Sequence, residues 1–168
     1  MLFRFFLILC FSHQIYSQEV TTLLSGYEWK LKPKLFLNRN EDTAQKLMDI
    51  AINKQLKYHI RVRAIIALKL FSEERVIRFL EEQINNNLKS SNLTRHLLSL
   101  EQITKQQKER YIKSAKKHLF HKQGQIRLNI ARSLKRVNTR SSRSLLKVQA
   151  SKESDPRIKK LIQNKRAY

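Results

Sequence analysis

The chain holds two glycines, two prolines and one cysteine in 168 residues. Each scarcity excludes something. A sheet protein of this size needs many tight turns, and tight turns draw on Gly, Pro or Asn-Gly pairs. Gly26, Gly124, Pro33 and Pro156 cannot supply them. A phosphate-cradling P-loop or a dinucleotide fingerprint needs two or three glycines within about eight residues; the two here lie 98 positions apart. A lone Cys10 leaves no internal disulfide framework and no cysteine metal cluster. Acids are scarce as well, with 13 Asp and Glu against 35 Lys and Arg, a net charge of +22.

What is abundant suits helices: Leu, Ile, Lys, Arg and Gln. Apolar residues make up 41%, enough for a folded chain despite the charge. The length gives room for one domain with a real core. The expected fold class is all-α.

The N-terminus reads MLFRFFLILCFSHQIYSQEV. Arg4 precedes an apolar run from Phe5 to Phe11; polar residues follow, then Ile15-Tyr16-Ser17 before Gln18. A charged start, a short apolar middle and a small residue at the cut make a secretory signal over 1–17, cleaved after Ser17. The run is too short to cross a bilayer, which takes about 20 residues, so no transmembrane span remains after removal. The alternative is a buried N-terminal helix. A lipidated Cys10 does not fit, because Leu9 stands where a small residue is needed. A mature chain without cysteine fits an exported bacterial protein, periplasmic or secreted, better than a stapled animal domain.

An internal echo organises the rest. Arg63 recurs as Arg95, Arg127 and Lys159, in steps of 32 residues. The preceding position is Val62, Thr94, Ile126, Ile158; the third following is Ile66, Leu98, Ile130, Ile162. The next is Ala67, Ser99, Ala131 and Gln163, mostly small, which lets a neighbouring helix approach. Positions four apart share one helix face. Leu47-Met48, Phe79-Leu80 and Tyr111-Ile112 repeat at the same spacing, with Leu145-Leu146 slipped by two through a linker at Arg136–Arg140. They belong to helices expected over Thr43–Leu56, Glu73–Asn86 and Lys105–Leu119.

Helix ends carry chemical signals. Asp155-Pro156 is a strong start, since Asp accepts orphan N–H groups and Pro fits the first helical position. Thr104-Lys105-Gln106-Gln107 matches a capping box. Ser72 with Glu73 and Glu74 puts negative charge at a positive helix end. Asn85-Asn86-Asn87 and Gln123-Gly124 read as breaks. Tyr27–Leu31 and Pro33 fit no unit, so 18–42 is expected to cap the first apolar face with Trp29, Leu35 and Phe36, ahead of a helical-repeat domain over 43–168.

From Thr43 to Ile162 the chain resembles HEAT-like, armadillo-type repeats, particularly the short kind found in phycobilisome-lyase-type proteins. The resemblance rests on Val62-Arg63-Ala64-Ile65-Ile66-Ala67-Leu68, Ile126-Arg127-Leu128-Asn129-Ile130-Ala131 and Asp155-Pro156-Arg157-Ile158-Lys159. Only the last copy has the family's Asp; His59, Ser91 and Gln123 stand at the matching positions. The resemblance implies a short right-handed α-solenoid of stacked helix-turn-helix units acting as a binding scaffold, and names no partner. It also implies that Arg63, Arg95 and Arg127 bond to neighbouring turns and are structural, not an anion ladder.

Charge is uneven. From Gln102 onward there are 20 bases and three acids, +17; the part before carries +5. Lys113, Lys116 and Lys117 share a surface of one expected helix. Arg132, Lys135 and Arg136 share another, and Arg140, Arg143 and Lys147 a third. Such a field draws polyanions: acidic protein, anionic lipid or polysaccharide, or nucleic acid. The competing explanation is a solvated charged surface. Nucleic acid would gain from interleaved aromatics, yet only Tyr111, Phe120 and Tyr168 follow Gln102.

Catalysis has little to stand on. His118 and His121 are three apart with no acid within reach, short of a zinc site. No Ser–His–Asp or Cys–His arrangement stands out, and the His-Glu pairs of metal-binding hydroxylases built on HEAT-like repeats are absent. No cofactor is expected. Glu73-Glu74 and Glu81-Glu82 read as solvated ion-pair faces. Asn92-Leu93-Thr94 matches a glycosylation triplet at a helix start and is assigned no role. The expected function is an exported, non-catalytic scaffold whose basic half meets an acidic protein or anionic envelope component. The alternatives are an intracellular nucleic-acid-binding repeat protein and a lyase-like or enzyme accessory subunit.

Overall fold

The computed structural model describes residues 20–39, 42–86 and 90–164. These are all-helical, and no strand occurs among the described residues. The helices are α1 (20–25), α2 (Pro33–Leu37), α3 (Thr43–Ile52), α4 (Tyr58–Ala67), α5 (Glu74–Asn85), α6 (Ser90–Ile103), α7 (Lys108–Lys116), α8 (Gly124–Val137), α9 (Arg140–Lys152) and α10 (Pro156–Gln163). A 3-10 turn, Leu68–Leu70, extends α4. The chain divides into two compact units, Met1–Phe71 and Ser72–Tyr168. That division falls inside the span 43–168 expected as one domain. The expected signal at 1–17 lies outside the described residues. Among the described residues no helix is long and apolar enough to cross a membrane.

In the first unit α3 packs on α4. Leu47, Met48 and Ile50 on α3, and Ile60, Ala64, Ile65 and Leu68 on and after α4, are buried, as are Val20, Leu24 and Phe36. Each fully buried Leu or Ile stabilises by about 2 kcal/mol. Asp42 caps α3, its carboxylate accepting from the Gln45 N–H at 3.1 Å. The helix stops at Ile52, short of the expected Leu56. There Asn53 turns the chain by accepting from the Gln55 N–H at 2.9 Å, a local bond that competes with helix. Of the three residues expected to cap, Phe36 is buried, Trp29 half-buried and Leu35 exposed.

In the second unit sequential helices pack as neighbours. Odd-numbered helices also meet odd ones, α5 with α7 and α7 with α9, while α6 meets α8 and α8 meets α10. Val76, Leu80 and Ile84 form one buried stripe at four-residue spacing. Tyr111, Ile112 and Ala115, then Ile126, Ile130, Ala131 and Leu134, continue the core. Ser99 and Ala131, the small residues of the repeat pattern, are buried where helices approach.

Helix ends depart from expectation in the second unit too, where α7 stops at Lys116, short of Leu119. The Thr104 capping box does not form. Its hydroxyl donates back to the Leu100 carbonyl at 2.7 Å, closing α6, so α7 opens later, at Lys108. The capping box that does form is Thr139–Ser142 at the start of α9, with Ser in place of the usual Glu or Gln. The linker expected at Arg136–Arg140 shrinks to Asn138-Thr139, because Asn138 adopts the left-handed conformation, φ 49°, that Asn tolerates. Asp155 caps α10 as expected, accepting from the Arg157 N–H at 2.9 Å with Pro156 first in the helix.

Candidate functional site

The basic side chains of the second unit sort by what they touch. On α7, Lys113 and Lys116 are exposed. Lys117, just past its end, donates from Nζ to Asn85 Oδ1 at 2.7 Å. On α8, Arg132 is exposed, but Lys135 and Arg136 are engaged. Lys135 Nζ donates to the carbonyls of Leu161 and Asn164 at 2.9 and 2.7 Å, covering the last turn of α10 where a helix carries partial negative charge. Arg136 forks onto Glu101, Nε to Oε1 at 2.9 Å and Nη2 to Oε2 at 2.7 Å, and reaches Ser133 Oγ at 2.8 Å. On α9, Arg140 and Lys147 are exposed, while Arg143 holds the Asn138 joint through its carbonyl and Oδ1. Of these nine cations, Lys113, Lys116, Arg132, Arg140 and Lys147 are exposed without a bond to the described residues. Lys135 and Arg136 serve the fold.

The repeated arginines are not equivalent. Arg63 Nη1 donates to the carbonyls of Leu24 and Gly26 at 2.6 and 2.8 Å, and the guanidinium stacks 5.5 Å from the Trp29 ring centre. Arg127 does the same to the turn before its own helix, bonding the His121 and Lys122 carbonyls. It also forks onto Glu153, Nη2 to Oε1 at 2.7 Å. That contact holds the Glu153 carboxyl below the usual range and raises the arginine. Arg95 is exposed on α6, with no bond to the described residues. The Lys159 side chain is exposed on α10.

Two acids that sequence reasoning passed over, Glu101 and Glu153, anchor cations, and two that it read as ion-pair faces, Glu74 and Glu81, share Arg110. Glu101 is buried and accepts from Ser133, 32 positions on, as well as from Arg136. Glu153 is buried against Arg127. Glu81, with Glu74, receives Arg110: Nη2 to Glu81 Oε2 and Nη1 to Glu74 Oε2, both at 2.7 Å. Arg110 holds the Glu74 carboxyl below its usual range. The signal was the rarity of acids itself. With 13 acids against 35 bases in the whole chain, each acid is worth assigning a cation.

His118 and His121 lie in the turn after α7 and do not share a helix face. Their ring centres are 6.3 Å apart and tilted, and His121 Nδ1 already accepts from the Gln123 N–H. Among the described residues no group of three His, Cys, Asp or Glu is placed to hold a metal. His118 is pushed below its ordinary value, first by burial and then by His121 and Lys117. Asn92 lies within α6, half-buried. A groove of about 440 Å³ runs between α8 and α10, lined by Leu128, Arg132, Ile158 and Leu161 among others.

No family model, no curated protein and no solved structure matches the chain. The exposed cations attract carboxylate, phosphate or sulfate groups through charge.

Proposed function

We propose that the protein is a non-catalytic binding scaffold: a short right-handed α-solenoid of two-helix units, exported after cleavage behind Ser17. Its basic second half holds an acidic protein or an anionic envelope component. The observation that carries this reading is the imbalance of charge after internal pairing. Of the three acids after Gln102, Glu153 is taken by Arg127 and Asp155 by Arg157 and the α10 cap, which leaves Glu109, exposed on α7, against the free cations. Lys113, Lys116, Arg132, Arg140 and Lys147 keep no such partner among the described residues. Uncompensated charge of one sign strains the fold by self-repulsion unless a counter-charged partner relieves it. The alternating helix contacts, and side-chain links such as Glu101–Ser133 and Asn85–Lys117 at 32 residues, support the stacked-unit architecture.

The test pairs a charge experiment with an address. Lys113→Glu with Lys116→Glu and Arg140→Glu is expected to shorten retention on an immobilised polyanion while leaving the unfolding midpoint within a few degrees of the parent. Unchanged retention would remove the surface from the reading. N-terminal sequencing of the native protein is expected to start at Gln18 in the exported fraction. An intact Met1 in the cytosol, together with duplex DNA binding that weakens steeply with salt, would favour the nucleic-acid alternative. Co-purification with one enzyme would favour the accessory-subunit alternative.

A further inference from the structure

Two large apolar side chains stand exposed in the second unit, Phe120 at 50% and Val148 at 42%. They belong to one place. Phe120 is in the turn after α7, and α7 packs against α9. Lys152, at the end of α9, reaches across so that its Nζ sits 5.4 Å from the Phe120 ring centre. Val148 is one helical turn before Lys152, on the same face. The C-terminal ends of α7 and α9 therefore present an aromatic and an aliphatic residue among Lys116, Lys122, Lys147 and Lys152, all exposed.

We infer that this end of the second unit docks on the surface of an anionic lipid bilayer, Phe120 and Val148 entering the interface and the four lysines meeting headgroups. The inference rests on reading the basic half as an anion-binding surface, and deepens it by naming the anion. Three features select a bilayer. Lysines near a charged membrane each add about fivefold in affinity, and their alkyl stems lie along apolar neighbours while the ammonium stays wet. Phe120 and Val148 are exposed apolar groups that a soluble polyanion has no use for, whereas the boundary of headgroups and acyl chains takes them in. One face of the Phe120 ring carries the Lys152 ammonium, which leaves a single face for base stacking, the main use of an aromatic on single-stranded nucleic acid. A second copy of the chain would bring like charge against like.

The experiment is co-sedimentation of the full chain with vesicles of phosphatidylcholine alone and with added phosphatidylglycerol, beside retention on heparin. Binding is expected to require phosphatidylglycerol. Phe120→Ser with Val148→Ser is expected to lower it by about tenfold without altering heparin retention. Phe120→Trp gives a readout that the N-terminal apolar run cannot mimic. Its emission is expected to shift to the blue on anionic vesicles beyond the change that Trp29 gives in the parent. Heparin retention with no such shift, or vesicle binding indifferent to both apolar substitutions, would overturn the membrane inference and leave the basic-surface reading standing. So would duplex DNA that displaces the protein from vesicles and binds the double variant equally well. Loss of both heparin and vesicle binding would sink the basic-surface reading as well.

Discussion

Lowering the pH from about 7.5 to about 5 is expected to cost the fold about 2 kcal/mol through His96 alone. His96 lies on α6 with 3% of its surface exposed, and its Nδ1 is 2.8 Å from the Asn92 carbonyl. Burial takes its pKa from 6.5 down to about 4, and the carbonyl contact offsets only part of that. The unfolded chain binds a proton at His96 below pH 6.5, and the folded chain refuses it until pH falls to about 4. Stability at this residue is therefore complete above pH 6.5 and drains away as pH falls through that window. The loss reaches about 2 kcal/mol at pH 5 and about 3 kcal/mol by pH 4. Urea unfolding at several pH values, for the parent and for His96→Leu, reads the difference. His118 titrates in the same direction, so the decisive quantity is how much less the variant loses. The carboxylates depressed by their arginines, Glu74 and Glu153, act only at lower pH. Equal losses in parent and variant would refute the assignment of the acid weakness to His96.

Arg127→Met strands the buried Glu153 carboxylate and is expected to cost about 3 kcal/mol in urea unfolding. Arg95→Ala, at the matching repeat position, is expected to change stability by less than about 0.5 kcal/mol. Glu101→Ala leaves Arg136 and Ser133 without their acceptor and is expected to cost about 2 kcal/mol, visible as a lower thermal midpoint. Tyr111→Phe is expected to be close to neutral in the same assay. The hydroxyl it removes is buried with no well-formed hydrogen bond, so little is lost with it.

The all-helical character was legible because it depends on composition, and two glycines in 168 residues leave few other options. The Asp155-Pro156 start was legible because a cap is a local event, decided by one carboxylate and the next few N–H groups. The Thr104 motif failed for a related reason. A threonine within reach of the carbonyl four residues back has a second bond available, and the buried Thr104 at the end of α6 takes it. The basic surface was legible as a total but not as a set of free charges. Nothing in the spacing of Lys135 and Arg136 announces that one covers the end of α10 and the other forks onto Glu101. Those assignments depend on which helices become neighbours. Arg63 and Arg127 share a position and a habit of bonding turn carbonyls, while Arg95 shares only the position.

The ion pairs and side-chain links described above join residues that are close along the chain. In the second unit the Arg127–Glu153 pair spans 26 residues, Arg110–Glu81 spans 29, Glu101–Ser133 spans 32 and Arg110–Glu74 spans 36. Each closes a short loop, and the entropy of closing a loop grows only slowly with its length. A chain whose native links are all of this order has little topology to search, so its second unit is expected to fold quickly and in local steps. The same economy has a converse. Among the described residues no such link reaches from one end of the unit to the other, so opening can begin at an edge and proceed helix by helix, with α10 exchanging its amide hydrogens before α7.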